Sequence, residues 1–407
     1  MDQAVTDIVR AHWGRLLAAL VKQFGDLQLA EDCLQDAAVA ALTHWPKAMP
    51  EAPDAWLLTA ARRRGLDQIK RKQTQTRHAP ALSFFIENQM PAREEGPMHI
   101  PDKRLEMLFT CCHPALDEKT QTALTLRTLG GLSADEIAHA YLDKPATMAQ
   151  RLSRARSKIK LAGIPYEIPA PDALPARASA VMRVIYLIFN AGYHASIGDD
   201  MQRPDLMAEA VRLGTVLCDL MPHSAEAAGL LALMLLHQAR AGARMDAAGA
   251  MVALEAQDRS LWDAAQIAQA DQLLQKALSQ GPAGPYQLQA AIAAIHAQSP
   301  SWTATDWPQI AGLYAHLMRL QPSPVIWLNA AVAVSYAQTP RAALDMLDDI
   351  ADALADYSHY HAARADFLAR DGHMQAAADC FQIAINLTQN TADQAFLRDK
   401  LARLRPQ

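Results

Sequence analysis

Three features of the sequence predict an all-α fold. Apolar residues recur at spacings of three and four along almost all of the 407 residues, no run of alternating β-branched residues is long enough for a sheet, and Pro and Gly punctuate the periodic stretches. The architecture expected is two small helical domains followed by a C-terminal domain of helical repeats. With 51% hydrophobic residues the chain can bury a sizeable core, and its length fits two to four domains.

The first helix is predicted over 5–24, with Ile8, Trp13, Leu16, Leu20 and Phe24 facing inward, and the second over 29–45 after Gly25-Asp26. A Pro-rich loop, 46–53, leads to a third helix over 54–72 whose apolar stripe is Leu58, Ala61, Leu66 and Ile69. That helix carries Trp56, then Arg62-Arg63-Arg64, then Lys70-Arg71-Lys72, against only Asp54 and Asp67. Arg63 and Arg64 stand one heptad before Lys70 and Arg71, so a cationic ridge runs beside the apolar stripe. Such a ridge suits a phosphate backbone, with the strong salt dependence that counterion release brings. The helix macrodipole alone also favours basic residues at a C-terminus, which accounts for residues 70–72 but not for the three arginines before them.

Residues 1–72 are thus one domain, and 73–102, rich in Pro, Gln and charge with an apolar patch at Phe84-Phe85-Ile86, are predicted to be a linker. A second domain, 103–162, ends in a helix-turn-helix pattern. Ser133 and Glu136 form an S-x-x-E capping box before a short helix carrying Ile137, Ala138 and Tyr141. Asp143-Lys144-Pro145 interrupts it, and Thr147 is expected to cap a last helix running to about residue 160. There Met148, Leu152, Ala155 and Ile159 make an apolar face, Arg151, Arg154 and Lys158 a cationic one, with Gln150, Arg156 and Lys160 alongside. A cap, a turn and a basic amphipathic helix in this order point to the DNA major groove; the alternative is a solvated helix packed on its neighbour.

After the Pro-rich run 165–175 the remainder, 163–407, reads as Ala- and Leu-rich helices. Trp327, Ala331, Val334, Ala343, Leu347 and Ile350 recur 34 residues later as His361, Ala365, Leu368, Ala377, Phe381 and Ala384. That is the period of the tetratricopeptide helix pair, the alternative being an irregular bundle with two similar hairpins. Residues 208–222 end like the second helix of such a pair, and 302–307 are expected as an inserted loop.

Charge divides the chain in the same way. Residues 1–160 hold 22 Lys and Arg against 19 Asp and Glu, and the rest 16 against 24, so the overall −5 is the difference between +3 and −8. Nucleic acid is therefore a candidate partner of the first part. The five cysteines make no metal spacing and suit a reducing compartment; no apolar run spans a membrane and no signal peptide is evident, so a cytoplasmic protein without membrane association is expected. Cys111-Cys112-His113 cannot converge on one ion, and no metal or cofactor is expected. His194 with Asp199, and His237 with Trp262, lack the nucleophile, phosphate loop or convergent carboxylates of a catalytic site, and the stretch 281–285 reads as a turn. No catalytic residues and no enzymatic activity are expected. Tyr286, Trp302, Trp307 and Trp327 read mainly as core, although a concave repeat surface uses such residues to grip peptides.

Two basic helical units joined by a linker describe a chain that reads two spaced DNA elements. The arrangement resembles bacterial RNA polymerase sigma factors of the extracytoplasmic-function (ECF) type, which keep only σ2, for the promoter −10 element, and σ4, for the −35 element. The resemblance lies in A-E-D-C-L-Q-D-A (30–37), W-L-L-T-A-A-R-R-R-G-L-D (56–67) and A-T-M-A-Q-R-L-S-R-A-R (146–156). Further stretches, L-F-T-C-C-H-P-A-L (108–116), L-I-F-N-A-G-Y (187–193), G-P-Y-Q-L-Q-A-A-I-A-A-I-H-A (284–297) and H-A-A-R-A-D (361–366), resemble the ECF subgroup with a long tetratricopeptide-like C-terminal domain.

The resemblance implies partners and roles. Asp32, Gln35 and Asp36 would dock on the β′ clamp helices of RNA polymerase core, and the β flap would be a second core contact. Residues 45–51 would form the loop that captures a flipped base. Trp56, Arg62, Arg63, Arg64, Lys70 and Arg71 would hold the −10 DNA. Thr147, Gln150, Arg151 and Arg154 would read the −35 element, and Arg156, Lys158 and Lys160 would touch phosphates. The acidic C-terminal domain would contact σ2 or σ4 in cis and set their activity, or bind an unknown protein. Two other functions fit parts of the pattern: a helix-turn-helix regulator with a ligand-sensing C-terminal domain, and a tetratricopeptide scaffold binding RNA or protein.

Overall fold

A computed structural model describes residues 2–46, 48–75, 102–141, 143–193, 204–246, 251–388 and 390–404. Among them are eighteen α-helices and no β-strand, in two compact units, Met1–Val184 and Ile185–Gln407. Most of the expected linker, with Phe84-Phe85-Ile86, lies outside the described residues, as do Lys47, His194 and Asp199.

The first unit opens with α1 (Asp2–Phe24), α2 (Leu27–His44) and α3 (Pro53–Gln75). Gly25, at φ +67°, turns the chain between the first two, and the Asp26 side chain caps α2 by accepting from the Leu29 amide at 3.1 Å. Leu16, Leu17, Leu20, Leu34, Leu57 and Leu58 are fully buried and bind the three together. The next four helices are α4 (Arg104–Cys111), α5 (Glu118–Thr128), α6 (Ala134–Ala140) and α7 (Pro145–Leu161). Both halves of the capping box form at α6: the Glu136 amide donates to Ser133 Oγ at 3.1 Å and the Ser133 amide to Glu136 Oε2 at 2.7 Å. Thr147 is not the cap of α7. Pro145, with its fixed φ and no amide hydrogen, takes the first helical position, Lys144 is the cap residue, and Thr147 stands in the first turn.

The two helical groups expected as separate domains share one compact unit. Helix α1 crosses α5 so closely that a Cβ on Gly14 would lie 2.7 Å from the Leu129 carbonyl oxygen. The unit also extends past residue 162 into α8 (Leu174–Tyr193), where Arg177 donates to the Phe109 carbonyl and Arg183 pairs with Glu118 at 2.9 Å.

The second unit continues with α9 (Pro204–Leu220), α10 (Ala225–Gln238), α11 (Ala264–Leu278), α12 (Pro285–Gln298), α13 (Trp307–Leu320), α14 (Pro324–Ala337), α15 (Pro340–Asp348), α16 (Ser358–Arg370), α17 (Met374–Leu387) and α18 (Thr391–Leu404). From α12 onward successive helices pack on one another, while α10 packs extensively on α12 as well as on α11. The pair α14 and α15 begins 34 residues before the pair α16 and α17, matching the repeat period. Ala331, Ala343, Ala365 and Ala377, the small residues of the repeat, are wholly buried where the helices approach.

Candidate nucleic-acid interface

Helix α7 is amphipathic because Met148, Leu152, Ala155 and Ile159 are all buried, which leaves the opposite face to solvent. Thr147, Gln150, Arg154 and Lys158 are exposed on it and line a groove of about 280 Å³ against Asp117 and Thr120 of the α5 N-terminus. Asp117 accepts from the Thr120 amide at 3.0 Å and its hydroxyl at 2.7 Å; burial works against its charge, but these bonds hold the carboxyl below the usual range. Arg151 lines the same groove but is tied back, its guanidinium 2.6 Å from Asp143, which Lys119 also approaches at 3.1 Å. The Arg151 hydrogen bond is the main reason that the Asp143 carboxyl titrates below its ordinary value. Lys158 reaches the Ala115 carbonyl.

Arg156, expected at a phosphate, faces the protein. Its guanidinium lies 2.6 Å from Glu31 of α2, and Arg127 of α5 binds the other oxygen of the same carboxylate. The side chains of Glu31, Arg127 and Arg156 are 3%, 13% and 15% exposed. A carboxylate that deep requires cations, and the two arginines supply them. Lys160, also expected at a phosphate, pairs at 2.7 Å with Asp26, and Arg10 of α1 pairs with Glu136 at 2.6 Å. Sequence reasoning missed Glu31 and Arg127, which no local pattern distinguishes.

On α3, Arg63, Arg64, Lys70 and Arg71 are exposed, while Arg62 is half-buried and its guanidinium shifted down by desolvation. Asp32, Gln35 and Asp36 are exposed on α2, so the docking candidates form one face. Asp36 and Arg64, assigned to different partners, pair with each other at 2.8 Å. Trp45 is only 3% exposed, its ring edge-on to Trp56 at 5.6 Å. It is core rather than a wall for a flipped base; Met49 is the exposed apolar residue of that loop, and Trp56 is half-buried beside it.

Cys111 and Cys112 are fully buried, with sulfurs 3.2 Å and 3.8 Å from the hydroxyls of Thr128 and Thr125, and burial pushes the Cys111 thiol up to about 12. No group of three or more His, Cys, Asp or Glu among the described residues stands where it could hold a metal ion. Nor is any described helix long and apolar enough to cross a membrane.

Comparison with known proteins finds family matches in three stretches of the chain. Residues 8–75 match sigma-70 region 2, and residues 106–159 match sigma-70 region 4. Residues 177–278 match a family of unknown function, DUF6596. The chain is 42% identical over 393 residues to an uncharacterized protein of Rhizobium meliloti (strain 1021), an alignment covering 95% of this chain and 93% of the relative.

Proposed function

The chain belongs to the sigma-70 family, as an ECF-type sigma factor with an added C-terminal domain, and on that premise we propose that it carries RNA polymerase core to promoters with paired −35 and −10 elements. Sigma factors act in transcription initiation. The observation that carries the finer reading is the solvent face of α7, where Thr147, Gln150, Arg154 and Lys158 stand in register above a fully buried apolar face. Arg154 has the geometry to pair bidentately with a guanine, and Thr147 and Gln150 read neighbouring bases. Arg151 joins them on release from Asp143, and Lys158 neutralises a phosphate. Trp56, Arg62, Arg63, Arg64, Lys70 and Arg71 line the −10 DNA. Asp32, Gln35 and Asp36 dock on the β′ clamp helices, and the region-4 helices meet the β flap.

No step of this function makes or breaks a covalent bond. It belongs in the cytoplasm, where core polymerase and the chromosome are. The C-terminal domain adjusts the output of the two DNA-binding regions, in cis or through a protein partner. The test is co-purification with core polymerase followed by run-off transcription on promoters varied at −35 and −10. Core-dependent initiation that follows both elements supports the reading. Tight binding to duplex DNA without core, and no initiation with it, would make the chain an ordinary helix-turn-helix regulator.

A further inference from the structure

One end of the second unit gathers positive charge that no carboxylate among the described residues pairs with. Arg240 and Arg244 follow the C-terminus of α10 and are only 8% and 9% exposed, and Arg259 stands in the 259–261 turn before α11. The guanidiniums of Arg240 and Arg259 lie 5.7 Å and 4.5 Å from the centre of the Trp262 ring. Arg244 lies 3.8 Å over the Tyr193 ring, whose hydroxyl accepts from Arg240 at 2.9 Å. Among the described residues no carboxylate comes within ion-pair distance of any of the three; Asp393 attracts Arg244 only from farther away. The two imidazoles beside them add no negative charge and are kept neutral: burial first, then the arginines, push His237 down to about 3 and His296 to about 4.

A purely structural role accounts for part of this. Arg244 donates to the Tyr193 carbonyl at the end of α8, and Arg259 donates to the His296 and Ser299 carbonyls at the end of α12, at 2.6 and 2.7 Å. Three helix C-termini meet here, those of α8, α10 and α12, each worth roughly half a negative charge, which leaves about +1.5 uncompensated. Arg240 reaches none of those carbonyls. Arg240 Nε, Arg259 Nη2, Trp262 Nε1 and the Nδ1 atoms of His237 and His296 are buried without a hydrogen-bond partner among the described residues. Buried nitrogens of this kind are normally satisfied, and buried cations are normally paired.

The geometry points to a binding site for a small dianion, a phosphate group carried by a small molecule, held by Arg240, Arg244 and Arg259 with the Trp262 indole N–H as a further donor. The site lies in the stretch that matches the family of unknown function and does not depend on the promoter reading. It gives that domain a ligand class.

Binding is measured on the full chain by thermal shift and indole fluorescence, titrating inorganic phosphate at constant ionic strength, with chloride and succinate as comparison anions. A saturable rise in Tm with phosphate, absent with chloride and weaker with succinate, is expected. Arg240→Gln should weaken phosphate roughly tenfold or more. It should not lower the Tm of the ligand-free chain, because it removes an uncompensated buried charge. Trp262→Phe keeps the ring and removes the donor, so it should weaken binding with helix content unchanged. No saturable response to phosphate in the unaltered chain overturns the site. So does a response that Arg240→Gln and Trp262→Phe leave intact, and a preference for succinate overturns the assignment to phosphate.

Discussion

Glu31 sits on α2 with its carboxylate between Arg127 and Arg156, and removing its charge leaves two guanidiniums facing each other in a poorly solvated place. Glu31→Gln should therefore cost about 3–5 kcal/mol, read as a lower urea midpoint of the full chain, whereas a surface pair such as Arg10 with Glu136 should change it by less than about 1 kcal/mol. On the DNA face, Arg154→Ala should cost about 1–3 kcal/mol at one −35 base pair and relax its preference, while Lys158→Ala should weaken all promoters alike. Equal losses on matched and mismatched promoters would count against base reading by α7. Asp143 governs Arg151. Its carboxyl titrates below the ordinary value near 3.8, chiefly because of the Arg151 bond, against a burial effect that raises it. The pair's contribution is fully present above that ordinary value and is lost as the pH falls through the lowered one, so neutral pH leaves Arg151 tied. Asp143→Asn should free it at pH 7 and alter the preference at one −35 position in run-off assays.

Helices pack as closely as their smallest residues allow, and two glycines make opposite predictions. A Cβ at Gly14 would stand 2.7 Å from a backbone oxygen that cannot move without shifting α5, so Gly14→Ala should destabilise by about 1–3 kcal/mol in thermal melts. Gly312 on α13 has nothing within 4 Å, so Gly312→Ala should stabilise by about 0.5–1 kcal/mol. Local pattern revealed most of the elements. The stripe Met148, Leu152, Ala155 and Ile159, the Ser133–Glu136 box and the 34-residue offset all follow from repeats or caps within a few turns. The start of α7 differs from the sequence expectation because Thr147 is a good cap in isolation, while Pro145 two residues earlier has the stronger backbone constraint. Glu31 was illegible for a different reason. Its partners lie 96 and 125 residues away, and a glutamate between alanine and aspartate on a helix reads as solvent-facing. No local pattern marks Arg240 and Arg244 either, since what makes them unusual is that no carboxylate among the described residues pairs with them.

At the scale of the whole molecule, the packing of the two sigma regions into one unit changes which experiments are clean. Charge reversal at Asp36 would disturb its pair with Arg64 as well as any docking, so Asp32→Lys with Gln35→Ala is the better test. It should abolish co-purification with core polymerase and leave circular dichroism unchanged; undiminished core binding would remove this face from the docking role. Deleting everything beyond residue 161 would likewise strip the first unit of Arg177 and Arg183, so loss of activity in such a truncation would not report on the C-terminal domain alone.

The buried cysteines give the molecule a clock. Disulfide reagents react with accessible thiols, and Cys33, Cys111 and Cys112 are wholly buried in the first unit, while Cys218 and Cys380 of the second unit are partly accessible; burial raises the thiols of Cys111, Cys112, Cys218 and Cys380 alike, so accessibility rather than ionisation separates the two groups. Labelling at mild alkaline pH should therefore proceed in two phases, two equivalents ahead of three, and the slow phase should run at the rate at which the first unit opens. Glu31→Gln should quicken the slow phase and Arg240→Gln should not. Timed labelling would then tell which half of the chain a substitution, or a polymerase, has loosened.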